Sequence, residues 1–230
     1  MSITDRWRCR LGRSAAPLLR IAFAVLIAYP IARLWLGIHV RHRERLPHKG
    51  PAIVAANHNS HLDILALLSL FPATTIPQVQ PAAAADYFLR NRWIKWGALN
   101  LVGIIPVVRG GNPAGGDPLE ACYQALANNK ILVIFPEGTR GEPEEMADLK
   151  SGIWYLAKRF PEVPVIPVFM HGLGKSMPKG TWIPIPFFIK VGVGAALTGR
   201  LDKQVFMELL HARFLHLKSI LKPTNNCEEV

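Results

Sequence analysis

At 230 residues, half of them hydrophobic and 19% charged, the chain is too polar for a multi-span membrane protein yet apolar for a soluble one. Its formal net charge of +11 calls for an anionic partner, and nucleic acid, anionic lipid headgroups and phosphorylated substrates all qualify. The three cysteines, Cys9, Cys122 and Cys227, have neither paired nor C-x-x-C spacing, which disfavours a disulfide framework and a structural zinc.

The first forty residues combine basic side chains with an apolar run. Arginines between Arg6 and Arg20 precede the apolar stretch 21–29, which meets Pro30 and Arg33 and resumes at 34–38. A bilayer-spanning helix needs about 20 apolar residues, and this run falls short unless Arg33 snorkels. We expect a re-entrant or interfacial anchor whose basic flanks lie on anionic lipid. A single span and a buried core helix are the alternatives, whereas no cleavage site for a signal peptide follows.

Downstream, apolar runs without polar alternation take turns with helix-like segments. This pattern predicts an α/β fold with a mixed, mostly parallel sheet flanked by helices on both faces. The predicted strands are 53–56, 74–76, 104–109, 131–135, 163–169 and 187–193. The predicted helices are 62–70, 86–99, 118–128 with Asp117 as N-cap, 149–159 and the basic amphipathic segment 202–221. Residues 182–188 resemble an exposed apolar loop and offer a second membrane contact.

The stretch AANHNSHLD at residues 55–63 concentrates two histidines and an aspartate between a predicted strand and a predicted helix. If the helix starts near Ser60, the Asp63 carboxylate can curl back to one imidazole nitrogen of His58. His58 would then be a general base oriented by Asp63. Two other interpretations stay open. Asn59 or Ser60 simply caps the helix, or His58, His61 and Asp63 bind a metal, although the metallo-hydrolase pattern is mismatched at positions 60 and 64.

A second group of candidates, FPEGTR at residues 135–140, follows the most apolar predicted strand. Gly138 permits a sharp turn at the end of a strand, where α/β proteins place their sites. Arg140 offers a planar fork for phosphate, and Glu137 can accept hydroxyl hydrogen bonds. Arg109 ends another apolar predicted strand, although alone it is typical of a solvated loop charge. The chain has no Gly-x-Ser-x-Gly elbow, so an attacking hydroxyl would belong to the substrate.

Together, the N-H-x4-D pattern from Asn57 to Asp63 and the FPEGTR block resemble the glycerol-phosphate and lysophosphatidic acid acyltransferase family. Residues 105–109, IPVVR, resemble that family's second block, and residues 165–168, VIPV, resemble its fourth. The first and third blocks are specific, and their order and separation also fit. The likeness covers roughly residues 35–200.

The resemblance implies acyl transfer from a thioester, carried by CoA or acyl carrier protein, to the hydroxyl of a lysolipid, foremost 1-acyl-glycerol-3-phosphate. His58 would be the base and Asp63 its orienter. The implied substrate-binding residues are Arg109, Glu137, Gly138, Thr139, Arg140 and Lys150. Among them, Arg109 and Arg140 would bind the acceptor's phosphate and Glu137 its glycerol hydroxyl. No metal, bound cofactor or nucleic-acid partner is expected. The implied organisation is a membrane-anchoring segment 1–45, a catalytic domain 46–200 and a C-terminal helix with tail 201–230, at the cytoplasmic face of a bacterial inner membrane.

Two departures from the family pattern bear on the acceptor. Gly141 stands where the family often has serine, and residues 142–148 are acidic where phosphate would favour basic loops. A phosphate-free acceptor such as lyso-ornithine lipid therefore stays open, as does a solvated rather than substrate-binding Lys150. The alternatives of other classes are a non-catalytic lipid-binding membrane protein and a metal-dependent hydrolase.

Overall fold

The structure, a computed structural model, describes residues 15–60, 62–85, 91–108, 116–139, 145–176 and 188–222. Its strands are β1 His39–Arg41, β2 Ala52–Ala56, β3 Val79–Ala84, β4 Ile105–Val107, β5 Ile131–Ile134, β6 Val165–His171 and β7 Lys190–Val193. Its helices are α1 Ala15–Phe23, α2 Asp63–Leu70, α3 Arg92–Gly97, α4 Glu120–Ala127, α5 Gly152–Arg159, α6 Leu173–Ser176 and α7 Lys203–Leu221. α1 continues through π-helical turns Ala24–Ala28 and Ile31–Trp35, and α3 through Ala98–Val102.

The strands form one seven-stranded sheet in the order β1-β7-β6-β2-β5-β3-β4. The five strands from β6 to β4 run parallel to their neighbours, whereas β7 is antiparallel to β6 and parallel to β1. The carboxyl ends of β2, β5 and β6 therefore meet at one edge in the middle of the sheet. The predicted mixed, mostly parallel α/β fold is confirmed.

Side chains of the central strands alternate between two apolar cores. On one face, Val54, Val133 and Val168 belong to a cluster with Leu67 and other residues of α2. On the other face, Ile53 and Leu132 belong to a second cluster, which includes buried side chains of α4, α5 and α7. Because both faces are covered, the strands read as continuous apolar runs without polar alternation.

The amino-terminal helix covers the first of these faces. Every fourth residue along it, Ala24, Ala28, Ala32 and Leu36, is buried. The small side chains allow the helix to approach the domain closely. The segment Ala16–Trp35, 20 residues in length, is by length and composition the one helix in the described ranges that is apolar enough to cross a membrane.

Arg20 departs from the expectation that it lies on lipid with the other basic residues. It is buried, and its guanidinium donates to the carbonyl oxygens of Pro77 at 3.1 Å, of Val102 at 2.9 Å and of Val79. Carbonyl groups in an apolar contact need a hydrogen-bond donor, and the Arg20 guanidinium supplies one to all three. Arg20 therefore fastens α1 to the sheet.

One strand prediction needs correction, and one strand was missed. Residues 74–76 were predicted as a strand, but the chain there makes local bonds such as Thr75 N–H to the Pro72 carbonyl and then a 3₁₀ turn, Ile76–Gln78. Proline at positions 72 and 77 favours this tight turn over extended pairing. The strand lies at Val79–Ala84 instead. β1 was not predicted, because a short edge strand with basic and exposed side chains lacks an apolar signal.

The remaining predicted elements agree in position but not always in extent. The helix predicted at 86–99 is described from Arg92 onward, and residues 86–90 lie outside the described ranges. Asp117 does accept a hydrogen bond at the start of the helix that follows it, from the Leu119 N–H at 2.8 Å. Of the predicted apolar loop 182–188, only Phe188 is described, and it is highly exposed.

Candidate functional site

Two loops at the carboxyl edge of the sheet carry the candidate residues. Residues 57–60 follow β2, and residues 135–139 follow β5, its hydrogen-bonded neighbour. Parallel pairing thus brings the two sequence blocks together although 79 positions separate His58 from Glu137. Open α/β sheets place their ligands at this edge.

His58 and Asp63 form a hydrogen-bonded pair. The His58 Nδ1 lies 2.8 Å from the Asp63 Oδ2, and Asp63 is the first residue of α2. Because an ionised carboxylate can only accept, Nδ1 must carry the proton and Nε2 keeps its lone pair. The His58 side chain is 20% exposed, whereas that of Asp63 is fully buried. The imidazole of the pair is therefore partly accessible, and its carboxylate partner is not.

The Asp63 carboxylate also accepts hydrogen bonds from the backbone of the His58 loop. Its Oδ2 also accepts the backbone N–H groups of Asn59 at 2.7 Å and Ser60 at 2.9 Å. Burial raises the pKa of the Asp63 carboxyl, and the hydrogen bond and charge of His58 oppose this effect, followed by the two backbone bonds. Of the two residues in the helix-capping interpretation, Ser60 accepts the Leu62 N–H on its Oγ at 3.3 Å, and this contact coexists with the His58–Asp63 pair.

A ring stack fixes the other side of the imidazole. The rings of His58 and Phe135 lie with centroids 4.3 Å apart and planes inclined by 25°. Phe135 is the first residue after β5 and is itself mostly buried. Stacking on one ring face and a hydrogen bond at Nδ1 leave the imidazole little rotational freedom, so Nε2 has a defined direction.

Asn57 is the first residue of the N-H-x4-D motif, and the sequence does not indicate what its side chain does. Its side-chain amide pairs with the backbone of Met170 in β6, accepting from the N–H at 2.7 Å and donating to the carbonyl at 2.9 Å. Asn59 donates to the same carbonyl at 3.3 Å. These contacts continue the pairing of β2 with β6 through side chains, and so hold the loop that carries His58 against the sheet.

Glu137 occupies a different position from the one expected of a substrate-binding group. It is 1% exposed, and its two oxygens accept the backbone N–H groups of His58 at 3.0 Å and Ala147 at 3.2 Å. Burial raises the pKa of Glu137, against the opposing effect of these hydrogen bonds. The carboxylate therefore ties the His58 loop to the segment that starts at Glu145, and each of its oxygens already accepts a backbone hydrogen bond.

Gly138, Thr139 and Lys150 lie together at the rim. Gly138 has φ +73°, a left-handed conformation that favours glycine, and its N–H bonds to the Phe135 carbonyl at 3.1 Å. Thr139 and Lys150 are exposed. The Lys150 N–H donates to the Pro136 carbonyl at 2.7 Å, which places its side-chain stem beside Gly138.

Three predicted residues lie outside the described ranges. Arg109 and Arg140, the two candidate phosphate ligands, are among them, as is His61 from the alternative metal set. Within the described ranges, no group of three or more His, Cys, Asp and Glu side chains is arranged to hold a metal ion.

Comparison with known proteins places this geometry in a family. The family model described as Acyltransferase matches residues 37–171. The chain is 31% identical over 165 residues to a chloroplastic 1-acyl-sn-glycerol-3-phosphate acyltransferase of Brassica napus, covering 66% of this chain and 44% of that protein. It is 27% identical over 141 residues to the human 1-acyl-sn-glycerol-3-phosphate acyltransferase alpha, covering 59% of this chain and 46% of that protein. The chain thus spans less than half the length of these curated relatives.

The fold is also similar to that in a crystal structure of the 1-acyl-sn-glycerophosphate acyltransferase PlsC from Thermotoga maritima. The TM-score is 0.75 at 19% identity, over 96% of this chain and 87% of that chain. The matched family region contains β2 with the His58–Asp63 pair and β5 with the loop that stacks on it. The family resemblance seen in the motifs is thereby confirmed, and the chain belongs to the acyltransferase family.

Proposed function

We propose that the protein transfers a fatty acyl group from an acyl thioester to the free hydroxyl of 1-acyl-glycerol-3-phosphate, which gives phosphatidic acid. The observation that carries this proposal is the His58–Asp63 pair, whose Nδ1–Oδ2 hydrogen bond leaves Nε2 available as a base at the sheet edge. The names of the relatives supply the acceptor. A non-catalytic lipid-binding protein would have no need of an oriented base.

The reaction follows from this geometry. His58 Nε2 takes the proton of the acceptor hydroxyl as its oxygen attacks the thioester carbonyl carbon. The resulting imidazolium is stabilised by the Asp63 carboxylate. Collapse of the tetrahedral intermediate breaks the carbon–sulfur bond, and the imidazolium returns its proton to the departing thiolate. The products are an ester and a free thiol, and the protein forms no covalent intermediate.

The assignment of substrate contacts is also part of this proposal. Arg109 and Arg140 are the candidate ligands for the acceptor phosphate, with Thr139 and Lys150 at the rim as further contacts. Glu137 is better suited to positioning, because both of its oxygens accept backbone hydrogen bonds inside the protein. The donor is acyl-CoA or acyl carrier protein, and the proposed reaction uses no metal and no bound cofactor.

The protein is further proposed to act on the surface of a membrane, at the cytoplasmic face of a bacterial inner membrane. One side of the amino-terminal helix is committed to the domain through Ala24, Ala28 and Ala32. The other side exposes Leu26 and Leu34, which are 73% and 86% exposed. A helix packed along its length on the domain cannot also cross a bilayer, so this division favours a helix that lies in the interface.

Acyl transfer by the purified protein in detergent tests the proposal. Lysophosphatidic acid and lyso-ornithine lipid are offered side by side, each with acyl-CoA and with acyl carrier protein as donor. We expect a preference for lysophosphatidic acid and a loss of about 100-fold or more in kcat for His58→Ala. His48→Ala, which removes an exposed histidine from a loop, is the matched control and should retain full activity.

The other outcomes are distinct. Substantial turnover by His58→Ala would remove the base from the mechanism. Preference for the phosphate-free acceptor would keep the His58–Asp63 chemistry but withdraw the phosphate-binding roles of Arg109 and Arg140. Loss of activity on chelation would favour the metal-dependent alternative.

A further inference from the structure

The short helix α3 exposes an unusual amount of aromatic surface. None of its six residues is buried, and Trp93 is 71% exposed. Ile94 and Trp96 are exposed as well. Tryptophan is normally well covered by the protein that carries it, so two exposed tryptophans on one short helix need a partner. Spacing of three residues places Trp93 and Trp96 on the same side of the helix.

The chemistry of this helix fits the boundary of a bilayer better than the surface of a protein. Arg92 stacks over the ring of Trp93, its guanidinium carbon 5.0 Å from the ring centroid, and Lys95 follows between the tryptophans. Aromatic rings interleaved with cations suit the headgroup region, where the ring body contacts acyl chains and the charge contacts lipid phosphate. The formal net charge of +11 favours the same anionic surface.

The position of α3 in the fold supports the same partner. Its continuation, Ala98–Val102, packs against α1, and the Arg20 guanidinium bonds to the Val102 carbonyl at 2.9 Å. Leu18 on α1 is exposed. α3 is therefore joined to the amino-terminal helix through Ala98–Val102, and both helices expose apolar side chains.

We propose that α3 is a second membrane-docking element, with Trp93 and Trp96 entering the interfacial layer of an anionic bilayer beside the amino-terminal helix. This inference rests on the proposed membrane-surface function. α3 begins shortly after β3, whose carboxyl end lies at the sheet edge that also carries the His58 loop. Membrane binding through α3 would keep the carboxyl edge of the sheet, with the His58 loop, close to the bilayer that contains the lysolipid acceptor.

Flotation with vesicles tests the inference on the full chain. Vesicles of phosphatidylcholine and phosphatidylglycerol, three to one, are mixed with unmodified protein, with the double variant Trp93→Ala/Trp96→Ala and with Tyr155→Ala. Tyr155 is a matched exposed aromatic on α5, which packs against the opposite face of the sheet. We expect the apparent affinity of the double variant to fall about tenfold or more, and that of Tyr155→Ala to stay unchanged.

Tryptophan fluorescence supplies a second measurement on unmodified protein. Vesicles with brominated acyl chains should quench its emission, and the quenched fraction should fall in the double variant. Acyl transfer to acceptor dispersed in detergent micelles should be equal in both proteins, whereas transfer to acceptor embedded in vesicles should drop in the double variant. These readouts separate a docking defect from a folding defect.

Contrary outcomes would overturn the inference at different levels. If unmodified protein binds vesicles and the double variant binds equally well with equal quenching, α3 does not dock and the proposed membrane-surface function stands. If unmodified protein does not bind vesicles, both fail. If the double substitution instead dissolves a dimer in size-exclusion chromatography without changing vesicle binding, α3 contacts a second copy of the chain rather than lipid.

Discussion

At the residue scale, the candidate base depends on a carboxylate that is itself inaccessible. Asp63 collects one imidazole and two backbone donors on a single oxygen, at 2.7 to 2.9 Å. Its other oxygen, Oδ1, is buried and has no hydrogen-bond partner among the described residues. One oxygen of Asp63 thus both orients the His58 imidazole and places a negative charge beside it. The pair should therefore be sensitive to a substitution at Asp63 that keeps the shape of the side chain but removes its charge.

Asp63→Asn is that change. We expect the amide oxygen to keep the backbone bonds, so the fold should persist, while the imidazole loses both its charged partner and the constraint on its tautomer. By analogy with triads in which this substitution costs about 10,000-fold, kcat should fall about 1,000-fold or more. Single-turnover acyl transfer measures the loss, and circular dichroism checks the fold. Activity within tenfold of the unmodified protein would contradict the orienting role.

Glu137 offers a test that separates two roles for one residue. Glu137→Gln leaves one of the two backbone N–H groups facing an amide NH₂ instead of a carboxylate oxygen. If Glu137 positions His58 through its backbone N–H, kcat should fall about 10- to 100-fold, and the KM for the acceptor should change little. If it binds an acceptor hydroxyl, the KM should rise instead. Steady-state kinetics at varied acceptor concentration decide between the two outcomes.

The raised pKa of Glu137 predicts how its contribution to stability depends on pH. The folded protein binds this proton more tightly than the unfolded chain, whose ordinary pKa is 4.5. The contribution of Glu137 is therefore greatest below pH 4.5 and is lost as pH rises through the raised pKa of the folded state. Relative to Glu137→Gln, the unmodified protein should gain stability on acidification from neutral pH toward 4.5. Thermal unfolding at a series of pH values measures this difference, and a difference that is constant with pH would refute it.

The local part of the site was predictable from sequence, and the long-range part was not. Asp63 is five positions beyond His58 and is the first residue of α2, so the carboxylate reaches back to the imidazole over a short loop. The Asn57 amide, in contrast, pairs with Met170, which is 113 positions away. Only the order of strands in the sheet brings β6 beside β2, and no spacing in the sequence reports that order. The inward direction of Glu137 depends on the same long-range packing.

At the element scale, apolar content predicted most strands. It did not predict β3, where hydrogen bonding to neighbouring strands outweighs the low strand propensity of the residues. β3 reads VQPAAA, with a proline and three alanines, none of which favours a strand in isolation. It is nevertheless a strand because β5 and β4 pair with it on both sides. The amino-terminal helix was predicted from its apolar run, yet its fastening by Arg20 was not, since a buried arginine and a lipid-facing arginine look alike in sequence.

Arg20→Met tests that fastening. It removes a charged donor from three carbonyl groups in an apolar contact, which should cost about 3 kcal/mol and lower the Tm in detergent by roughly 6–12 °C. Arg33→Met is the matched control on the same helical segment, because Arg33 is exposed and its guanidinium lies over the Tyr29 ring. Its effect should be within about 0.5 kcal/mol.

Gly103 lies against the same contact, and its positive φ adds backbone strain to any substitution there. Gly103 has φ +78°, and a Cβ there would collide with the Arg20 guanidinium. Gly103→Ala should therefore resemble Arg20→Met rather than Arg33→Met. Equal shifts in Tm for Arg20→Met and Arg33→Met would mean that the carbonyl bonds contribute nothing to holding the helix.

At the scale of the whole molecule, charge and apolar surface act on the same partner by different physics. The excess of 27 Lys and Arg over 16 Asp and Glu attracts the chain to any anionic surface over a distance set by salt. The exposed side of the amino-terminal helix contributes only on contact, and its contribution does not depend on ionic strength. Membrane binding through charge alone would be lost at high salt, whereas binding through apolar contact alone would not change with salt concentration.

We therefore expect vesicle binding with two components. On vesicles containing one quarter phosphatidylglycerol, raising sodium chloride from 0.05 to 0.5 M should weaken binding about tenfold or more, because the Debye length shortens from more than 10 Å to less than 5 Å. A residual affinity should remain at 0.5 M, equal to that on pure phosphatidylcholine, where salt should have little effect. Leu26→Ser/Leu34→Ser should reduce this residual part and leave the salt-dependent part in place, because neither substitution changes charge.

Flotation across the salt series measures both components. Complete release by salt would show that the apolar side of the helix does not enter the bilayer, and salt-independent binding to anionic vesicles would show that the net charge does not contribute to docking.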